Sequence, residues 1–86
     1  MSGRNIIGER VRLARKAAKP PVTQADLAAR LQVQGIKLDR VAISKIETGY
    51  REVTDVEVSA IAKALGVPID WLFGEDKEKP KQIGTN

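Results

Sequence analysis

The 86-residue chain contains no cysteine and no histidine. Without thiols, disulfides and thiolate metal sites are excluded. Without imidazole, the commonest general base and the commonest nitrogen ligand are missing as well. Aromatic residues are scarce, with one Trp, one Tyr and one Phe, which leaves few platforms for stacking unpaired bases. No apolar run approaches the roughly 18 residues of a membrane span, and no secretory apolar segment follows Met1. An enzyme would need a metal site assembled from scattered Asp and Glu. The absences therefore point away from catalysis, from a cofactor or small-molecule ligand and from a membrane, and toward a small cytoplasmic domain.

What remains is enough for one core. Apolar residues make up 42% of the chain and charged residues 30%, a balance that argues against disorder throughout. A globule of this length has a radius of gyration of roughly 12 Å, too small for a deep two-lobed cleft. The net charge is +4 and the isoelectric point about 9.7, but the charge is unevenly placed. Residues 1–19 carry net +5, residues 20–51 net +2 and residues 52–86 net −3. Positive charge held in the first part of the chain suggests one surface that faces a polyanion.

Every patterned stretch reads as a helix. Asn5 is placed to cap a first helix over about 6–18, with Ile7, Val11 and Ala14 on one face. Pro20-Pro21 ends it, because neither residue donates a backbone hydrogen bond. Thr23, with Asp26 three residues on, opens a second helix over about 24–32. Gly35 breaks the next stretch. Asp39 caps a third helix over about 40–48, stopped by Gly49. Thr54 and Glu57 form a capping box for a fourth helix bearing Val58, Ile61, Ala62 and Leu65. Gly66 closes that helix, and Pro68 begins a short fifth one that Gly74 ends. Trp71, Leu72 and Phe73 are read there as a lid on the core. These elements form one domain over 1–74, and the charged, aperiodic 75–86 reads as a flexible tail.

The third helix has two unlike faces. At 100° per residue from Arg40, Ala42, Ile46 and Ile43 fall at about 200°, 240° and 300°. Arg40, Ser44, Thr48, Val41 and Lys45 fall at about 0°, 40°, 80°, 100° and 140°. The first set can dock on the rest of the molecule. The second offers cations, hydroxyls and an exposed methyl pair, the groups that address guanine O6 and N7 and the thymine methyl in a major groove. The same residues also suit a plain solvated face.

Three separated motifs carry the resemblance: Thr23-Gln24-Ala25-Asp26-Leu27-Ala28, then Ala42-Ile43-Ser44-Lys45-Ile46-Glu47-Thr48-Gly49, then Ala62 through Gly74. Together they resemble the phage repressor and Cro-type (XRE) helix-turn-helix family over about residues 7–74. The resemblance implies an all-α, five-helix, lambda-repressor-like DNA-binding domain with helix three in the major groove. It implies base reading by Arg40, Val41, Ser44 and Lys45. It assigns phosphate contacts to Gln24, Thr48, Tyr50 and Arg51, with Gln24 also bracing helix three. Arg15 and Glu47 match a family ion pair between helices one and three; otherwise they are two independent surface charges.

The sequence departs from the family in two places. The turn between helices two and three is extended by roughly five residues within 32–37. Either this loop bulges away, or Gln32, Gln34 or Lys37 reach the DNA backbone. Lys19 to Val22 is also longer than usual and reads as a surface loop. The function implied is a sequence-specific double-stranded DNA-binding transcriptional regulator, a repressor by analogy. Members of the family commonly bind as homodimers. Here pairing would have to use the fifth helix, the tail or DNA itself. The alternative is an antitoxin-like or partner-binding module on the same fold, which a large apolar surface on helices four and five would favour.

Overall fold

The computed structural model describes residues 3–74, and the expected tail lies outside them. Among the described residues there are five helices and no strand. They are α1 (Gly8–Ala17), α2 (Gln24–Val33), α3 (Arg40–Glu47), α4 (Asp55–Leu65) and α5 (Ile69–Leu72).

The caps expected from the sequence for α2, α3 and α4 are formed, whereas α1 has Ile7 and not Asn5 at its N-cap. Thr23 Oγ1 accepts from the Asp26 amide at 2.9 Å while the Asp26 carboxylate accepts from the Thr23 amide at 3.1 Å. Thr54 and Glu57 make the same reciprocal pair at the start of α4, and Asp39 accepts from the Ala42 amide at 2.8 Å. Each box satisfies amides that the first turn of a helix would otherwise leave unpaired. The first helix starts two residues later than its periodicity predicts. Asn5 Oδ1 accepts from the Ile7 and Gly8 amides, so the side chain holds a local turn before the helix begins.

A single core joins all five elements. Ile7, Val11 and Ala14 of the N-terminal region meet Leu27 and Leu31 of α2, Ile43 and Ile46 of α3, Ile61 and Leu65 of α4, and Leu72 of α5. The third helix packs on α1 and α2, while α4 packs on α2, α1 and α5. Trp71 and Leu72 are buried, but Phe73 is 41% exposed and does not belong to the lid. Residues 71 and 72 lie about 100° apart and both cover the core; another 100° turns residue 73 toward water.

Both long connections are fastened at positions that helical periodicity does not reveal. Between α2 and α3, Gly35 has φ +80°, the Ile36 amide donates to Leu31 and the Gly35 amide to Gln32. That pair of bonds is a Schellman closure, and it needs a left-handed residue that glycine supplies without strain. Leu38 is then buried and Ile36 packs against the core, while Lys37 between them is exposed. Gln34 Nε2 donates to the Ala60 carbonyl of α4 at 3.0 Å. The extension is therefore a short extended segment with alternating side chains and three attachments. The Lys19–Val22 connection is likewise more than a surface loop: Val22 is a core residue, and its amide donates to the Arg15 carbonyl.

Candidate nucleic-acid interface

The two faces of α3 separate as its sequence requires. Ile46 is 0% exposed and Ile43 is buried, whereas Arg40, Lys45 and Val41, at 52%, stand in solvent and Ser44 is half-buried. Burying an isoleucine stabilises by about 1.5–3 kcal/mol, so the inner pair fixes which way the outer strip points. At its C-terminal end α3 is stopped by Gly49, at φ +85°. The Tyr50 amide donates to Lys45 and the Gly49 amide to Ile46.

Beneath this helix lies a charged joint. Arg15 donates from Nε to Glu47 Oε2 at 2.6 Å and from Nη2 to Glu47 Oε1 at 2.8 Å. Its Nη1 donates to the Val22 carbonyl at 3.0 Å, and Gln24 Nε2 donates to Glu47 Oε1 at 3.1 Å. One carboxylate of α3 is thereby held from α1 and α2 together. Hydrogen bonding to Glu47 raises the Arg15 pKa above its ordinary value, and burial opposes that rise. Among the described residues no buried side-chain nitrogen or oxygen lacks a partner. A joint satisfied in this way fixes register more than it adds net stability, because desolvation offsets much of the attraction.

A second clasp holds the same, C-terminal end of α3. Asn5 Nδ2 donates to the Ile46 carbonyl at 3.0 Å and to the Arg51 carbonyl at 2.7 Å. Close by, the Gly8 backbone lies so near the Ile46 and Glu47 carbonyls that a Cβ at position 8 would collide with the former. The sequence marks Asn5 as a cap, but nothing local reveals acceptors 41 and 46 residues away.

The other expected contact residues are distributed as follows. Gln24 is half-buried, with its amide nitrogen on Glu47. Thr48 is exposed, and its hydroxyl donates to the Ser44 and Lys45 carbonyls. Tyr50 is 69% exposed. Arg51 is already engaged: Nη1 and Nη2 meet Glu57 at 3.0 and 3.2 Å, and Nη1 also donates to the Glu52 carbonyl. Three of its five N–H groups are thus used and two are left for another acceptor. Hydrogen bonding to Arg51 holds the Glu57 carboxyl below its ordinary value, with the Thr54 amide adding to the effect and burial opposing it.

Gln32 and Lys37 are exposed, and Gln34 is occupied by α4. The described residues contain no cluster of acidic side chains able to hold a metal ion, and no helix long and apolar enough to cross a membrane. Residues 11–72 match the family described as helix-turn-helix, a span that includes α2, its connection and α3 entire. No curated protein and no solved structure matches the chain.

Proposed function

Because the chain belongs to the XRE-type helix-turn-helix family of DNA-binding regulators, we propose that it reads duplex sequence with α3 in the major groove and represses transcription by occluding a promoter. The observation that carries this reading is the strip of Arg40, Val41, Ser44 and Lys45, set outward by buried Ile43 and Ile46. Arg40 and Lys45 are the donors for guanine, Ser44 bonds either base-edge type, and Val41 lies against thymine methyl groups. Gln24, Thr48, Tyr50 and Arg51 hold phosphates and set register without carrying sequence information. Residues 1–74 form the binding unit. Two copies bind a palindrome with half-sites about 34 Å apart, one helical turn. Exposed Ile69 and Phe73 at α5 offer the pair a contact.

Selection of bound sites from random duplex DNA, followed by gel-shift titration, tests this reading. The wild-type chain should enrich a two-fold symmetric site. Arg40→Ala should lower preference at one position in each half-site by about 1–3 kcal/mol. Enrichment of no sequence, or an Arg40→Ala protein with unchanged preference, would remove α3 from the role.

A further inference from the structure

A groove runs along one flank of α3, and a residue from the other end of the chain forms part of its wall. It is lined by Arg4 together with Val41 and Lys45 of the outward strip, Tyr50 and Arg51 after the helix, and Glu52. Among the described residues neither Arg4 nor Lys45 has a side-chain hydrogen bond or ion pair. The acids around the groove are mostly committed. Glu57 is bound by Arg51, and Asp39 accepts from the Ala42 amide. Glu52 is left as the one lining carboxylate without a partner among the described residues.

The backbone beside Arg4 is also anchored. The next residue, Asn5, makes four hydrogen bonds, two of them to carbonyls at and beyond the end of α3. An anchor one residue away orders the backbone in advance, so a ligand has only the Arg4 side chain left to immobilise, and preorganisation of that kind lowers the entropic cost of binding.

The flank matters. On the helical wheel the Gln24–Glu47 contact lies near 340°, just beyond Arg40, whereas Val41, Lys45 and Ala42 lie near 100°, 140° and 200°. The Gln24–Glu47 contact and the Lys45 side of the Arg4 groove therefore border opposite edges of the outward strip. A helix seated in a major groove about 12 Å wide has a phosphate backbone on either side. We propose that Arg4 binds a duplex phosphate on the edge of the outward strip across from the Gln24–Glu47 contact, with Tyr50 beside it, so that α3 is gripped from both edges. The proposal rests on α3 being the duplex-reading helix.

A phosphate contact acts on any sequence, so the probe is a mixed-sequence duplex titrated by fluorescence anisotropy at two salt concentrations. Arg4→Ala is compared with wild type and with Lys63→Ala. Lys63 is an exposed cation about 13 Å along α4 from the groove-lining Thr54. Arg4 is exposed and makes no side-chain bond, so its replacement should leave the melting temperature unchanged. The expected result is that Arg4→Ala flattens the slope of log K against log salt by about 0.9. The wild-type advantage then shrinks about 3.5-fold between about 50 and 200 mM salt. Lys63→Ala should leave the slope unchanged.

An Arg4→Ala protein with the wild-type slope and affinity would overturn the proposal while leaving α3 in its role. Equal losses from both variants would overturn it too, by showing an effect of net charge alone. A wild-type chain that binds no duplex at any salt would sink the reading of α3 and this proposal together.

Discussion

Single residues separate the structural from the recognitive contributions to this interface. Glu47 is a member of α3 that does not face outward; its side chain is 3% exposed and lies against Arg15. Arg15→Ala would strand that carboxylate in the interior, and the loss should be about 3–5 kcal/mol in a denaturant titration. Arg15→Met combined with Glu47→Leu should cost less than Arg15→Ala alone, because no charge is then left unpaired. A double replacement as damaging as the single one would show that the ion pair itself supplies the stability. Glu57 gives the second residue-level prediction. Its carboxyl titrates below its ordinary value in the folded chain because Arg51 binds the ionised form. The stabilisation is present above the unfolded value of about 4.3 and disappears as pH falls through the lower folded value. Glu57→Gln should be about 1 kcal/mol less stable than wild type near neutrality, a modest figure because Arg51 is partly exposed. The gap should narrow below about pH 4, measured by urea unfolding at each pH.

Whole elements show where sequence reading succeeds and where it stops. Helix boundaries at Thr23, Asp39 and Thr54 were legible because a cap is a local bargain between residues three apart. The two faces of α3 were legible because helical geometry repeats within eight residues. The connection between α2 and α3 was not, since Ile36 and Leu38 alternate with a period of two across too few residues to stand out. The double role of Asn5 was hidden for a different reason: its carbonyl partners belong to the backbone, which carries no residue-specific signal. The junction of α1 with α3 gives the prediction proper to this scale. Gly8→Ala gains up to about 1 kcal/mol of helix propensity, yet its Cβ would run into backbone oxygen rather than a yielding side chain. Overpacking of that kind costs about 1–3 kcal/mol, so the variant should melt lower than wild type. A higher melting temperature would mean that α1 can back away from α3 freely.

At the scale of the molecule, charge is segregated along the chain: the first 51 residues hold net +7 and the remainder net −3. Exposed Arg40 and Lys45 of α3, with Arg4 in the adjoining groove, are the cations a polyanion meets at this face. Affinity for duplex should fall steeply with salt. Two to four neutralised phosphates per copy correspond to a slope of about −2 to −4 in log K against log salt. A slope near zero would separate binding from phosphate altogether.

The fastened connection between α2 and α3 also makes a practical reporter. The chain has no native thiol, and Lys37 points to solvent from a segment seated by its two neighbours. A Lys37→Cys variant therefore carries a single alkylation target at a known distance in sequence, three residues, from the first residue of α3. Duplex that shields this sulfur from iodoacetamide marks the connection as lying under the DNA. An unchanged labelling rate places it clear of the footprint.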